Sequence, residues 1–356
     1  MKNPLFVLVN DIHIDKPKCE LVKDIFKQLI DVCEKYNVPE IVLGGDVFTN
    51  RSGQPLTCLA TFQEILDMLK KQDIYLHVIP GNHDKTDADD CASYVDVYRG
   101  NENLFLYRQG HCRIFGNCPV CFIPYFGDEK WKEQLEKVKL KLVKYEKFEK
   151  GKLIANNPKF LVTHIAIDGV RNNDGSEVVS ELKPTDLDCF TKVLVGHYHN
   201  ASRVGKNIYY TGSAYQNNHG EGIIDKGCTI VYDDATLEHV DLKFPKYIKH
   251  VIDVNDSETL RNLIEKYEGE DYDHVRFVFQ GKKVDASKVD LNFVSSKGIE
   301  CQFESIEEKE AINDSINIDS LNYDKRSISK DFLKFCSENQ IKGKHMKYGL
   351  NLIKGI

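Results

Sequence analysis

The sequence predicts an α/β fold built on a largely parallel sheet, with a smaller α+β domain behind it. Three continuous apolar runs, at residues 5–9, 41–43 and 75–79, have the composition of strands that are buried on both faces. Between these runs, residues 20–36 and 56–71 carry apolar side chains at helical spacing. Strands that alternate with helices imply crossover connections, and therefore parallel strands.

The later segments extend this pattern and then change it. Apolar runs at 160–163 and 192–195 predict two more strands, and residues 208–213 and 228–232 are typical of hairpins that close the same core. Helix and strand patterns alternate in the small α+β domain, at residues 257–267, 274–279, 286–294 and 299–303. The predicted divisions are a core at 1–245, the small domain at 246–304, an acidic linker at 305–326 and a tail at 327–356.

The composition bounds the compartment and the partners. The 356 residues contain no apolar window of the roughly 20 residues that a membrane-spanning helix needs. Eleven cysteines without a framework spacing favour reduced thiols, and therefore a cytoplasmic protein. The formal net charge of −7 argues against a chain that coats nucleic acid non-specifically, although it is compatible with a local basic groove.

One compact group of soft ligands could be a zinc site. It consists of His111 and Cys112, followed by Cys118 and Cys121. These residues could supply four ligands to a structural zinc ion. Because the group has no second pair at zinc-finger distance, we favour ordinary core cysteines over a zinc knuckle.

The predicted strand ends carry polar side chains of metal-ligand type, namely Asp11, His13, Asp46, Asn82, His164, His197 and His199. Because the carboxyl ends of parallel strands converge, we expect these side chains to share one crevice. Carboxylates and imidazoles crowded together without a cation would be costly. Mixed oxygen and nitrogen ligands without a thiolate suit Mn, Fe or Zn, and a shared carboxylate can bridge two ions, for which Asp46 is the best candidate.

These motifs, in this order, resemble those of the calcineurin-like metallophosphoesterase superfamily. The resemblance spans residues 5–232 and rests on Asp11-Ile12-His13, Gly45-Asp46, Gly81-Asn82-His83-Asp84, His164 and Gly196-His197-Tyr198-His199. It implies a β-sandwich flanked by helices.

The resemblance also implies a division of roles among the residues. One ion is implied to bind Asp11, His13, Asp46 and His199, and the other Asp46, Asn82, His164 and His197. His83 is implied not to be a ligand but to protonate the leaving oxygen or stabilise charge on the phosphate. Asp84 is implied to orient the ring of His83.

Within the superfamily the chain is similar to the SbcD-type exonucleases and their phage relatives, which work with an SMC-like coiled-coil ATPase. The similarity rests on residues 45–51 leading into the helix at 56, on Thr211-Gly212-Ser213 after the last histidine motif, and on the small domain. Thr49 departs from the pattern, which usually has Asp there, and this leaves the hydrogen bonds of that loop in question.

This similarity implies a two-metal DNA phosphodiesterase in the cytoplasm of a bacterial or phage-infected cell. The expected ions are Mn²⁺, with Mg, Fe or Zn as alternatives. Arg51, Asn172 and Asn173 are expected to border the DNA path. The tail carries apolar residues such as Phe332 and Phe335 and is expected to dock on the ATPase, while homodimer formation is left open.

Two other functions remain open at this point. One is hydrolysis of a small or protein phosphoester, against which the long C-terminal part argues, because such an enzyme needs only the core. The other is a non-catalytic subunit that tethers DNA, against which the complete ligand set argues. Three measurements separate the nuclease from these two alternatives. They are hydrolysis of linear duplex DNA, hydrolysis of a generic phosphodiester dye, and binding of DNA in the absence of metal.

Overall fold

The protein is described by a computed structural model over residues 2–147, 157–172, 175–267, 274–281 and 289–305. In chain order the elements of the core are β1 (Pro4–Val9), α1 (Cys19–Tyr36), β2 (Glu40–Leu43), α2 (Leu56–Lys71), β3 (Tyr75–Val78), β4 (Leu104–Leu106), β5 (His111–Phe115), β6 (Cys118–Ile123), α3 (Asp128–Lys147), β7 (Phe160–His164), β8 (Lys192–Gly196), β9 (Ser202–Val204), β10 (Ile208–Tyr210), β11 (Gly227–Tyr232) and β12 (Leu237–Asp241).

The core strands form two sheets of six strands each. The first has the order β12-β11-β1-β2-β3-β4, and the second has the order β5-β6-β7-β8-β10-β9. Strands β1 to β4 are parallel to one another, as are β6, β7, β8 and β10. The expected α/β architecture, a sandwich flanked by helices, is therefore confirmed, with two parallel-rich sheets.

Strand β1 shows why its sequence is apolar at every position. Successive side chains of a strand point to opposite faces. Val7 and Val9 pack in a cluster with helices α1 and α2, whereas Phe6 and Leu8 pack in a second cluster with residues of the other sheet. Both faces of β1 are covered, so neither can be polar.

Helices α1 and α2 cover the outer face of the first sheet. The buried positions of α1 recur every three or four residues, at Val22, Ile25, Phe26, Leu29, Val32 and Cys33. The helix stops at Asn37, whose φ of 51° is left-handed and whose N–H bonds the carbonyl groups of Cys33 and Glu34. The chain can therefore turn directly into β2.

Helix α3 covers the second sheet. Its lysine-rich sequence has one apolar stripe, and Trp131 on that stripe is fully buried. The indole N–H of Trp131 donates to Thr163 Oγ1 over 2.9 Å, and Thr163 lies in β7 next to His164. Several of its lysines pair with glutamates, such as Lys137 with Glu133, so they form a solvated face.

The small domain is a sheet of three strands with its own apolar cluster. Its elements are β13 (Tyr247–Asp253), α4 (Ser257–Tyr267), β14 (His274–Gly281), α5 (Leu291–Ser296) and β15 (Glu300–Ser305). All three strands are parallel, which makes a β-α-β-α-β unit where the sequence predicted an α+β arrangement. Strand direction was not visible in the sequence, because short apolar runs look alike in parallel and antiparallel pairs.

Of the four predicted divisions of the chain, the core and the small domain fall largely within the described residues. Residues 1–305 form one compact unit, within which the small sheet is separate from the two core sheets. Residue 306 and all that follow lie outside the described residues, so the linker and the tail remain predictions. In the described ranges, no helix combines the length and the apolar character that crossing a lipid bilayer requires.

The structure corrects one expectation about cysteine. Cys112 and Cys121 face each other on the antiparallel strands β5 and β6 and form a disulfide. The expectation of wholly reduced thiols is wrong for this pair. The number of cysteines does not reveal which residues of two strands face each other, so the pairing of Cys112 with Cys121 could not be predicted from it. Cys118 is buried, and its thiol donates to the carbonyl of Asp233, while the ring of His111 stacks on that of Tyr107. With the other two cysteines in a disulfide, these residues do not make a zinc knuckle.

Candidate metal centre

The seven strand-end side chains meet between the two sheets. Asp11 and His13 follow β1, Asp46 follows β2 and Asn82 follows β3, all in the first sheet. His164 ends β7, and His197 and His199 follow β8, in the second sheet. The predicted crevice is therefore present, but both sheets contribute to it.

One half of the cluster is built around His13 and His199. Their Nε2 atoms lie 3.0 Å apart, and His199 Nε2 lies 4.0 Å from Asp11 Oδ1. His13 Nε2 is 3.6 Å from Asp46 Oδ2. Ligand atoms of Asp11, His13 and His199 lie within 4.8 Å of one another, a spacing that one ion can span.

The other half is built around Asn82 and His164. Asn82 Oδ1 lies 3.0 Å from His164 Nε2 and 2.9 Å from His197 Nδ1. His164 Nε2 is also 3.4 Å from Asp46 Oδ2, so Asp46 Oδ2 faces both halves. Asp11, Asp46 and His164 form a second group whose ligand atoms fit within 4.8 Å.

The chemistry of this donor set fits divalent cations. Burial lowers the pKa of His13 to about 3 and that of His197 to about 3, so both rings are neutral and offer lone pairs. Burial also acts to lower the pKa of His164, but the Asp46 and Asp11 carboxylates raise it to about 9. Nδ1 of His164 donates to the Gly44 carbonyl, so Nε2 is the atom whose proton a cation between these carboxylates would displace.

Four of the candidate ligands adopt a left-handed backbone conformation. The φ angles are 52° at Asp11, 41° at His13, 52° at Asp46 and 88° at His197. Such angles cost a residue with a side chain about 1–3 kcal/mol. Backbone bonds between the two loops hold the conformation, including Asp11 N to Gly45 O and His13 N to Asp46 O. Strain of this kind is concentrated at functional sites.

Glycine at residue 81 permits the close approach of two loops. A Cβ atom at Gly81 would lie 2.1 Å from Asp46 Oδ1 and 2.3 Å from Asp46 N. Any larger residue would therefore push the loop that carries Asn82 away from Asp46.

His83 and Asp84 have different surroundings from those expected. The ring of His83 is half-buried, and its Nδ1 contacts the Thr49 carbonyl. Its Nε2 lies 3.3 Å from a guanidinium nitrogen of Arg51. Asp84 is fully buried and accepts from the backbone N–H groups of Val47, Phe48 and Gly81. The expectation that Asp84 orients the ring is wrong, because Asp84 shapes the loop and the Thr49 carbonyl holds the ring.

Thr49, where the chain departs from the nuclease pattern, has a side-chain contact between loops. Its hydroxyl donates to the carbonyl of His13 over 2.9 Å, so Thr49 ties its loop to the one that follows β1.

A cavity of about 300 Å³ opens onto the centre. His13, Asp46, Asn82, His83, His197 and His199 line it, together with Thr49, Arg51, Lys18, Asn217 and Asn218. Of the expected DNA-binding residues, Arg51 is thus at the cavity. Asn172 is exposed, its side-chain amide donates to Ser176 Oγ over 3.0 Å, and it does not line the cavity. Asn173 lies outside the described residues.

Two functional candidates were missed by sequence analysis. Lys18 sits in a short 3-10 helix, Lys16–Lys18, and its amine donates to Asn217 Oδ1 over 3.1 Å at the cavity wall. Glu221 lies in the loop before β11 and accepts from His199 Nδ1 over 2.7 Å. Neither residue follows an apolar strand, which was the signal used to find the others.

Comparison with known proteins finds similar sequences among phosphoesterases and DNA repair proteins. A putative phosphoesterase of Invertebrate iridescent virus 3 is 22% identical over 79% of this chain and 77% of its own length. The DNA double-strand break repair protein Mre11 of Archaeoglobus fulgidus is 27% identical over 58% of this chain and 49% of its own length. The protein of the same name from Sulfurisphaera tokodaii is 25% identical over 73% of this chain and 68% of its own.

The sequence profile of the calcineurin-like phosphoesterases matches residues 4–201, more than half of the chain and the part that carries the seven strand-end ligands. Family, fold and donor set therefore agree. The chain belongs to the calcineurin-like phosphoesterase family and is a metal-dependent phosphoester hydrolase.

Proposed function

We propose that the protein is a two-metal phosphodiesterase that acts on DNA. The observation that carries this proposal is the presence of two cationic side chains, Lys18 and Arg51, in the cavity that also contains the ligand cluster. A polynucleotide brings further phosphates to either side of the reacting one, and cations near the centre would bind them. The likeness to two proteins described as DNA double-strand break repair proteins supports the same substrate class.

We assign one ion to Asp11, His13, Asp46 and His199, and the other to Asp46, Asn82, His164 and His197. The contacts within each half of the cluster support this division, with Asp46 Oδ2 facing both His13 and His164. A pair of divalent ions lowers the pKa of water and neutralises charge that develops on the phosphate. We propose Mn²⁺ as the native ion.

His83 is assigned to the leaving oxygen. Its Nδ1 donates to the Thr49 carbonyl, so Nε2 is the atom that faces the cavity. Because the guanidinium of Arg51 can only donate, Nε2 acts as a proton donor to the substrate once it is protonated and Arg51 has turned from Nε2 to the phosphate. The backbone N–H of His83 donates to Asp46 Oδ1 over 2.8 Å, which fixes the ring beside the centre without making it a ligand. Arg51, against Nε2, is placed to contact the same phosphate.

We further propose that the chain is the nuclease subunit of an SbcCD-like repair complex in the cytoplasm of a bacterial or phage-infected cell. Its partner would be an SMC-like ATPase that binds residues 327–356. The proposal rests on the apolar character of that tail, which lies outside the described residues. A homodimer is compatible with this assembly.

A second candidate is hydrolysis of a phosphoester other than DNA. The iridescent virus relatives, which are described only as putative phosphoesterases, support it. The two candidates differ in what the residues beyond the ligand cluster must recognise.

The purified protein is expected to hydrolyse linear duplex DNA with added Mn²⁺ and to lose this activity after exhaustive metal removal by a chelator. Rates on the duplex are compared with rates on a generic phosphodiester dye, and DNA binding is measured without metal. Hydrolysis of the dye with none of the DNA favours the second candidate. Undiminished activity in the metal-free protein would contradict a metal-dependent mechanism.

Lys18→Ala is expected to weaken binding of duplex DNA and to reduce the slope of log binding constant against log salt by about 1, because one phosphate contact is lost. Hydrolysis of the dye, which has a single phosphate, should change little. Lys16→Ala is the matched control, since Lys16 is exposed in the same short helix and does not line the cavity. An unchanged salt slope in Lys18→Ala would remove Lys18 from the DNA path.

A further inference from the structure

A buried ion pair lies directly behind one candidate metal ligand. The side chains of Glu221 and Lys226 are both fully buried, and their charged atoms are 2.8 Å apart. Glu221 Oε1 also accepts from His199 Nδ1 over 2.7 Å. His199 is thus held on one side by a carboxylate, while its Nε2 faces the ligand cluster.

Every polar atom of this pair has a partner. Glu221 Oε1 accepts a second bond from the amide of Asn218, and Oε2 accepts from the backbone N–H of Asn217 as well as from Lys226. Lys226 Nζ donates its other two protons to the His199 carbonyl and to Ser213 Oγ, each over 2.7 Å. The network admits one arrangement of donors and acceptors.

Such a pair is a poor device for stability alone. Removing two charges from water carries a large desolvation cost, and apolar residues of similar volume often stabilise a core equally well. Its contacts with His199, through both the ring and the backbone carbonyl, point to a role at the metal centre.

The loop that carries Glu221 is also fixed to the small domain. The Gln216 amide donates to the Glu221 carbonyl over 2.8 Å and to the Tyr247 carbonyl over 3.0 Å. The backbone N–H of Tyr247, the first residue of β13, donates back to Gln216 Oε1 over 2.7 Å. Glu221 is therefore held between the core and the small sheet, which limits its freedom to move away from His199.

We propose that Glu221 is a positioning residue that, held by Lys226, fixes His199 with its proton on Nδ1 and its lone pair on Nε2. In this state Nε2 is available to the ion that Asp11 and His13 would share. His164, in the other half, donates its Nδ1 proton to the neutral Gly44 carbonyl instead. The two ion sites thus differ in what supports their histidines, and only the site of His199 depends on Glu221.

The inference rests on the two-ion centre of the proposed function but not on DNA as the substrate. Its test is therefore made on metal binding to the full chain, without nucleic acid. Failure of DNA hydrolysis would leave the test unaffected, and failure of the test would leave the nuclease proposal in place.

Glu221→Gln keeps the shape of the side chain and removes its charge, so either tautomer of His199 can be bound. Titration calorimetry with Mn²⁺ is expected to show that one of the two sites is weakened by about 10–100-fold, the usual effect of losing a group that supports a metal-binding histidine. The second site should keep its affinity. Activity should return at high Mn²⁺ concentration, because the ligands themselves are intact.

Glu238→Gln is the matched control. Glu238 accepts from two tyrosine hydroxyls, of Tyr36 and Tyr232, each over 2.6 Å, on the outer strand β12. This variant should bind both ions as the wild type does. If folded Glu221→Gln bound Mn²⁺ at both sites with wild-type affinity, the proposal would be overturned. Glu221 would then have only a structural role.

A measurement on the wild type covers the case in which Glu221→Gln does not fold. In the protein loaded with diamagnetic Zn²⁺, long-range ¹H–¹⁵N correlation is expected to show the His199 proton on Nδ1, shifted by a strong hydrogen bond. A proton on Nε2, with Nδ1 coordinating the ion, would overturn the proposal without any variant.

Discussion

Asp46→Ala is expected to abolish hydrolysis of duplex DNA, by about 10⁴-fold or more, and to lower the number of ions bound per chain. Asp46 Oδ2 faces both halves of the cluster, 3.6 Å from His13 Nε2 and 3.4 Å from His164 Nε2. Asp11 Oδ1 also faces both halves but at longer distances, 4.0 Å from His199 Nε2 and 3.9 Å from His164 Nε2. Loss of the shared carboxylate weakens both sites, and metal ions supply several kcal/mol of transition-state stabilisation, of which each 1.4 kcal/mol is tenfold in rate. Initial rates and elemental analysis of the dialysed protein measure the two effects.

The backbone at Asp46 requires a second variant. Its φ of 52° is strained for alanine but tolerated by asparagine. Asp46→Asn should therefore keep the fold of the loop and still lose most activity, because an uncharged amide cannot serve two cations. Asp24→Ala, which removes an exposed carboxylate from α1, should have no effect on either measurement. Wild-type ion content in both Asp46 variants would contradict a shared carboxylate.

The ligand cluster could be predicted from the sequence because it follows from a geometric rule. Asp46 and His164 each stand at the end of a run that is buried on both faces, and such runs become parallel strands whose carboxyl ends lie together. The assignment of strands to sheets could not be predicted in the same way. The runs that became β2 and β7 are equally apolar, so nothing in them indicates that they belong to different sheets.

Asp84, whose role was misassigned, and Glu221, which was missed, lie in loops, and Lys18, which was also missed, lies in a 3-10 helix of only three residues. Asp84 was expected to act on the ring next to it in sequence, yet its oxygens are used by N–H groups of Val47 and Phe48 from another loop. Glu221 and Lys226 have no periodic pattern around them, and their contacts with His199 exist only once β8 and β11 are in place. Long-range hydrogen bonds of this kind depend on tertiary structure and leave no local signal.

His83→Ala is expected to lower the turnover number on duplex DNA by about 10²–10⁴-fold, the usual contribution of a general acid, while leaving the ion content unchanged. The structure supports this separation, because the His83 ring is bound by the Thr49 carbonyl and Arg51, neither of which belongs to the ligand cluster. Steady-state kinetics measures the turnover number, and elemental analysis measures the ion content. Loss of bound ions in His83→Ala would contradict the assignment and indicate that His83 is a ligand.

The leaving group distinguishes the two roles open to His83. A nitrophenolate departs without help from an acid, whereas the alkoxide of a DNA strand requires a proton. If Nε2 protonates the leaving oxygen, the deficit of His83→Ala should shrink to less than about tenfold on a nitrophenyl phosphodiester. If His83 instead stabilises charge on the phosphate, the role we propose for the adjacent guanidinium of Arg51, both substrates should lose the same factor, since that charge develops with either leaving group.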